Sequence, residues 1–512
     1  MIRYIDIVYI AKTFVIFKTS SWCHNNTKKA MDRINFKFLV TCFVLMLMLP
    51  YVSTFAQQQE KHRLIVLSDI EADPDDTQSL IRLLLYSNQI DIRAIIATTS
   101  VHQKNNVYPE SILAVLKAYQ KVQPNLLKHE NGFPSADDLM KIVKSGLAVY
   151  GMNGVGEGKD SPGSEYIIQI LEERNDKPVW VSVWGGANTL AQALFKLKKT
   201  KNEADLIKLI AKLRVYTISD QDDSGIWIRN NFPSLFYIVS PGGYGNATWL
   251  GINRVIKEIN NETISNRWLT DNIQQAHGPL GAMYPDVAYG MEGDTPAWLS
   301  LVPNGLNEPE HPEWGGWGGR YQFYVPKLAD LDPKGFNGGV PVEPETRPIW
   351  TNVSDSFILT MPGTYGRAIR MDTLKFYDNK VTIWRWRDDF QYDFAARMDW
   401  TIKSYQDANH PPVPKLKHGD RITVKSGTDF VLDAGESHDP DGDNLSYQWI
   451  LYPEAGTCLQ AGSMVSANNL YRSILRAPVV KKAETLHYIL KVTDKGRPAL
   501  SRYKRVIVEV TP

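Results

Sequence analysis

The chain has 512 residues, 43% of them hydrophobic and 22% charged, an ordinary globular balance that excludes a disordered chain or a coiled coil. Its 57 basic and 56 acidic residues nearly cancel, so charge offers no case for nucleic acid or an anionic membrane as partner. The function has to be read from local sites.

In chain order, the first feature is "MDRINFKFLVTCFVLMLMLPYVSTFAQQQE" from Met31. A basic lead, an apolar core and the small residues Thr54 and Ala56 form the pattern of a secretory signal cleaved near Gln57. Residues 1–56 are therefore set apart as an upstream extension plus signal peptide, with a retained anchor as the alternative. Nothing beyond Gln57 stays apolar long enough to span a bilayer, so no stable membrane insertion of the mature chain is expected. Cys23 and Cys42 fall in the removed part, which leaves Cys458 and no internal disulfide. The expected location is secreted or periplasmic in a bacterium, with stability drawn from the core.

Residues 57–409 form the first expected domain. "RLIVLS", "IRAIIATTS", "PVWVSVWGG", "LRVYTIS" and "LFYIVSP" read as strands, and "DTQSLIRLLLYSN", "ESILAVLKAYQKV", "SEYIIQILEERN" and "ANTLAQALFKLKK" as helices. Wholly apolar strands alternating with helices predict an α/β fold with a mostly parallel sheet covered on both faces. Ligand sites in such sheets lie beyond the carboxyl ends of the strands. From Asn246 to Asn409 the chain is richer in Gly, Pro and Trp, its aromatic and acidic groups are expected on loops, and it is read as completing the same domain. "NHPPVPKL", Asn409–Leu416, marks a Pro-rich linker. Residues 410–512 carry short alternating strands with turn signals, the pattern of an immunoglobulin-like β-sandwich with Trp449 as its core tryptophan. Asp439, Asp441 and Asp443 alternate as in some calcium loops, but Asp-Gly between strands favours a turn.

The chemistry concentrates in "LIVLSDIEADPDDTQSL", Leu64–Leu80, where Asp69, Glu71, Asp73, Asp75 and Asp76 crowd the junction of a strand and a helix. Carboxylates buried together raise one another's pKa or require a cation. An oxygen-only set without nearby Cys or His suits a hard ion such as Ca²⁺. The competing reading is a solvated acidic cap on the helix N-terminus.

This stretch resembles the nucleoside hydrolases, whose first strand ends in D-x-D-P-G-x-D-D, with Asp69, Glu71, Asp75 and Asp76 on the four acidic positions. "WGGANTLAQAL" is similar to the family's G-P-L-T-N-x-A segment, and "GMEGDTPAW" to its late metal segment. Together with "SDQDDSGIWIRNNFPSLFYIVSPGG" and "MEGDTPAWLSLVPNGLNEPEHPEWGGWGGRY", these segments resemble a secreted bacterial branch of nucleoside-hydrolase-like proteins, some named cellulose-binding, that carry a C-terminal sandwich. The resemblance implies Asp75 as the base that activates water, and Ca²⁺ held by Glu71, Asp76, the backbone carbonyl at Asn188, and Asp294. It implies inverting hydrolysis of an N-glycosyl or related glycosidic bond in a sugar-containing small molecule or polysaccharide, the alternative being noncatalytic binding of a cellulose-type polysaccharide. Where the enzymes often carry a leaving-group histidine this chain has Gly293, so the leaving-group acid is either missing or supplied by another residue such as Glu292, and nucleosides are doubtful substrates. Trp227, Asn231, Trp314 and Trp317 complete the expected sugar pocket, because flat rings pack on the apolar faces of sugars. His311 is weighed as an acid but reads more simply as a loop histidine.

Overall fold

The computed structural model describes residues 60–512 apart from 242, 328, 330–339, 341–342, 366–367 and 459–468. The signal segment lies outside the described residues. No helix among the described residues is long and apolar enough to cross a membrane.

Strands β1 (His62–Ser68), β2 (Ile90–Ala97), β3 (Val143–Ser145), β4 (Val179–Val183), β5 (Leu213–Thr217), β6 (Phe236–Val239), β7 (Tyr321–Tyr324) and β8 (Ile349–Asn352) make one sheet in the order β3-β2-β1-β4-β5-β6-β8-β7. All neighbours run parallel except β7, which returns antiparallel to β8. Successive side chains of β1 point to opposite faces, as in any strand. Leu64 and Val66 enter one core with helices Asp75–Leu85 and Pro109–Leu126. Ile65 and Leu67 enter a second core with helices Pro162–Glu172 and Asn188–Thr200. Both faces are thus sealed, which explains strands that are apolar at every position. The chain first builds outward from β1 to β3, then returns to place β4 on the other side of β1. The β1/β4 boundary is therefore the topological switch point where such sheets open a crevice.

Residues after Asn246 complete this sheet through β7 and β8, as expected. They also form a two-stranded ribbon, β9 (Asp355–Tyr365) with β10 (Ala368–Asp378), and a buried helix, Arg387–Asp399. That helix replaces part of the expected loop. Its period is invisible because it is covered nearly all round and its carboxylates are themselves interior: Asp389 and Asp393 are both buried.

Beyond it, β11 (Arg421–Lys425), β13 (Ser446–Leu451), β15 (Glu484–Thr493) and β16 (Ser501–Thr511) form one sheet, ordered β11-β16-β15-β13, and β12 (Asp429–Asp433) pairs with β14 (Arg472–Arg476) in a second. The two sheets share a core in which Trp449 is buried beside Leu432, Leu475 and Val508. In the loop before β13, the backbone N–H groups of Asp441 and Asp443 both donate to Asp439 Oδ1 (2.9 and 3.1 Å). With Gly442 at φ 85° this makes a tight turn.

The Pro-rich segment at Asn409 is held at both sides: Asn409 Nδ2 donates to Asp494 Oδ2 (3.1 Å) and the Trp400 indole donates to the Asn409 carbonyl (2.9 Å). The sandwich is seated on helix Arg387–Asp399. Lys491 Nζ (2.6 Å), Ser501 Oγ (3.1 Å) and the Tyr503 hydroxyl converge on Asp389, and Arg502 meets Asp393 (2.7 Å). Lys61–Pro512 form one compact unit.

Candidate metal centre at the β1/β4 crevice

After β1 the chain makes a tight turn in which the Ala72 N–H donates to the Asp69 carbonyl (2.9 Å) and Glu71 takes a φ of 80°. This is the position of a turn that favours glycine, and a side chain there is thrown outward. Glu71 is accordingly exposed. The expectation that places Glu71 among the metal ligands does not match its exposed position; Asp73, which emerges from the turn, groups with Asp75 and Asp76 instead. One carboxylate oxygen from each of Asp73, Asp75 and Asp76 lies within 4.8 Å of the others. Asp75 and Asp76 occupy the first turn of helix Asp75–Leu85, where the helix dipole favours negative charge.

Asp294 lies beside this group. It is 2% exposed, and Asp75, Asp76, Asp73 and Asp69 all act on it electrostatically. Burial first, then these neighbours, push Asp294 well above the ordinary carboxylate range. Asp75 and Asp76 are raised in the same way, and burial pushes Asp69 up to about 6. At Asp76 a hydrogen bond from Ser68 Oγ partly offsets this, and the Asp75 N–H donates to Asp73 Oδ1 (3.3 Å). Asp294 Oδ2, however, is buried with no hydrogen-bond partner. A buried carboxylate oxygen without a donor is costly, and an adjoining group of carboxylate oxygens with no nitrogen or sulfur matches what a hard divalent cation requires. The donor set fits calcium.

The surrounding loops are shaped to this cluster. A side chain at Gly185, beyond β4, would place its Cβ 2.5 Å from Asp69 Oδ1, so β4 approaches the cluster only as glycine. A Cβ at Gly293 would lie 1.9 Å from the Trp249 Nε1 and 2.6 Å from Asp75 Oδ2. Trp249 fills the space that a residue 293 side chain would take, and its indole N–H donates to Asp75 Oδ2 (3.1 Å). Asp73 was part of the acidic cluster read from the sequence without a ligand role of its own, and Trp249 was not expected. Trp249 sits on a short helix, Ala247–Asn253, with no local motif to mark it.

The side chains of the other expected residues are engaged elsewhere; the expectation at Asn188 concerns its backbone carbonyl, which its side-chain and N–H contacts leave open. Asn188 opens helix Asn188–Thr200 but turns to a neighbouring acid: its N–H donates to Asp222 Oδ2 (3.2 Å) and its amide to Thr99 Oγ1 (3.0 Å) and the Val149 carbonyl (2.8 Å). Asp222 is buried and pushed up to about 6. Glu292 is fully buried and paired with Arg82 (2.5 Å), with Tyr284 OH (2.8 Å) and Thr295 Oγ1 (3.0 Å) also donating to it. It anchors the loop that carries Asp294 and has no free oxygen to serve a substrate. Trp227 packs on the second core with its ring edge toward Phe232, and Asn231, at the far end of its helix, accepts a hydrogen bond from Lys198 (2.8 Å). Trp317 is fully buried against Phe390 and Tyr503. Trp314 stacks on His311 (3.9 Å between centroids) and meets the edge of His487. "WGGWGG" is the seat of the sandwich, and its tryptophans are interface packing.

A family model described as "Cellulose-binding Sde182, nucleoside hydrolase-like domain" matches residues 63–321, and one described as "Cellulose-binding protein Sde0182, C-terminal domain" matches residues 429–510. The chain belongs to this Sde182 family. Among solved structures it is similar to a nucleoside hydrolase-related hypothetical protein from Saccharophagus degradans associated with carbohydrate metabolism. The identity is 35%, covering 88% of this chain and 100% of that one, with a TM-score of 0.71. No curated protein matches. The Sde182 match runs from β1 through β6 to the first residue of β7 and so contains Asp73, Asp75, Asp76, Trp249 and Asp294. The fold class expected from the sequence is the fold found.

Proposed function

We propose that the protein is a secreted or periplasmic, calcium-dependent hydrolase of glycosidic bonds acting on a sugar-containing substrate drawn from cellulose-type polysaccharide or its fragments. The observation that carries this is the convergence of four carboxylates at the switch point with Asp294 Oδ2 left unpartnered. Asp73, Asp76 and Asp294 would hold the ion. Bound calcium supplies a template for vicinal sugar hydroxyls and lowers the pKa of water. Asp75 is the candidate base: it is buried at the helix N-terminus, and the Trp249 N–H fixes one of its oxygens so that the other is presented. A positioned base contributes roughly 10²- to 10⁴-fold. Attack by water opposite an oxocarbenium-like centre gives inversion. The name of the family and its relation to carbohydrate metabolism support a polysaccharide-derived sugar.

A second reading, polysaccharide binding without turnover, is favoured by one feature: Trp249 occupies both the leaving-group position at Gly293 and one oxygen of the base. The two readings separate in one experiment. The protein is screened with aryl glycosides, cello-oligosaccharides and nucleosides, with calcium and with chelator, beside Asp75→Asn and Asp76→Ala. Turnover that requires calcium and both residues, with inverted product, supports hydrolysis. Turnover that survives both substitutions rejects the site, and saturable binding without turnover establishes the second reading.

A further inference from the structure

The hydrolytic reading leaves a departing group unserved. A bond to an alkoxide or amide leaving group needs a proton delivered on the side opposite the attacking water. The residues first considered for that task are otherwise engaged: Glu292 is sealed in its pair with Arg82, His311 is stacked on Trp314 and paired with Glu313 (2.9 Å), and Gly293 has no side chain or room for one. The Trp249 indole N–H is committed to Asp75 and is not an acid.

A different pair closes over the cluster from the loops after β2 and β6. His102 Nε2 lies 2.8 Å from the Tyr244 hydroxyl. The Tyr244 ring packs on Trp249 with centroids 5.3 Å apart, and Trp249 in turn reaches Asp75. Asp69, Asp294 and Asp73 all act electrostatically on Tyr244, and His102 acts on Asp69, so both residues face the carboxylate group. The loop bearing His102 is fixed: the His102 and Gln103 N–H groups donate to Ser100 Oγ (3.0 and 3.2 Å), and Gln103 Nε2 donates to the carbonyls of Asp69 and Ile70 (3.3 and 3.2 Å). Burial and the nearby Asp69 keep Tyr244 a neutral phenol, and His102 is exposed to solvent.

We propose that Tyr244 delivers the proton to the leaving group and that His102, hydrogen-bonded to it, resupplies that proton. This rests on the hydrolytic reading of the same site. In the balanced step the bond from the anomeric carbon to the leaving atom breaks. Its electron pair takes the Tyr244 proton, and Tyr244 takes one from His102 Nε2 as the ring takes another at Nδ1 from solvent. Water oxygen bonds to the anomeric carbon as its proton passes to Asp75, and the two protons then equilibrate with solvent, for a net addition of one water across the bond. The substrate class follows: a glycoside whose leaving group is a basic oxygen or nitrogen, such as the hydroxyl of a second sugar.

The test compares p-nitrophenyl glycosides, whose leaving group departs without help, with methyl glycosides of the same sugars (ribofuranose, glucose and cellobiose) in the wild type, Tyr244→Phe, His102→Ala and Asp75→Asn. We expect Tyr244→Phe and His102→Ala to reduce kcat on the methyl glycoside at least about 10-fold more than on the p-nitrophenyl glycoside. Binding of the uncleaved thioglycoside, measured by calorimetry, should be unchanged, and Asp75→Asn should reduce both substrates alike. A wild type that turns over both substrates, with Tyr244→Phe losses equal on the two or absent, overturns this proposal alone. A wild type inactive on every glycoside overturns the hydrolytic reading and the proposal with it.

Discussion

The carboxylate cluster makes a prediction about stability that does not depend on any substrate. Asp69 is fully buried and pushed from 3.8 up to about 6, so its folded pKa lies above its unfolded one. Such a group leaves folding undisturbed below pH 4, where both states are protonated, and its contribution to stability is lost as pH rises from about 4 through about 6. A shift of that size corresponds to about 3 kcal/mol at pH 7, at 1.36 kcal/mol per unit. Asp69→Asn removes this penalty but also changes the bond with Ser100, at about 1 kcal/mol. In chelator at pH 7 the variant should therefore be more stable than the wild type by about 2 kcal/mol. For a unit of this size that is a Tm higher by about 2 °C. At pH 4 the same substitution should be neutral or slightly destabilising. Calorimetry of both proteins in EGTA across pH 4 to 7 reads this directly. A variant less stable than wild type at pH 7, or a difference that does not change sign or shrink toward pH 4, would refute the picture of uncompensated buried charge.

Other perturbations report on neighbouring parts of the structure. Asp76→Ala removes a buried carboxylate whose oxygen groups with Asp73 and Asp75, and titration calorimetry should show calcium binding lost while the circular dichroism spectrum is kept. Gly293→Ala forces a Cβ into Trp249 and Asp75. It should cost about 1–3 kcal/mol in denaturant melts and weaken calcium affinity as Asp75 is displaced. Trp317→Ala empties a fully buried site between the α/β part and the sandwich and should cost about 3–5 kcal/mol, yet leave cellulose affinity per folded molecule unchanged in pull-down assays, since the ring faces no crevice.

Much of the fold was legible because its strands are doubly buried: five apolar runs became β1, β2, β4, β5 and β6, and the helices between them followed the helical period. The core of the site was legible for a related reason, since Asp75 and Asp76 stand where a parallel sheet must open. What could not be read was direction within the acidic stretch. Equal spacing put Glu71 on a ligand position, but the turn between Asp69 and Ala72 reverses its side chain, and a turn with positive φ at a glutamate has no sequence signature. Tryptophans misled in the opposite sense. Trp314 and Trp317 lie in a glycine-rich segment that reads as an open loop, whereas the sandwich covers it. Trp249, with no pattern around it, meets the base.

The sandwich also bears on the site through more than attachment. Helix Arg387–Asp399 presents Asp389 and Asp393 to Lys491, Tyr503 and Arg502 of the sandwich. Its Gln391 and the Phe394 ring meet Arg82, the Arg82 guanidinium lying 4.1 Å from the Phe394 centroid. Arg82 belongs to the helix that begins with Asp75 and Asp76, and it pairs with the Glu292 that precedes Asp294 by two residues. Tyr86, one turn on, donates to the same Asp393 (2.6 Å) that Arg502 holds. All of these charges except Lys491 are buried, and a buried charge that loses its partner is strongly destabilising. Removing the sandwich would strip Asp389 of Lys491, leave Asp393 with Arg397 alone, and expose the helix that supports Arg82. The C-terminal domain is thereby part of the wall that fixes two ligand-bearing segments against each other, a role that an independent module on a flexible tether could not perform.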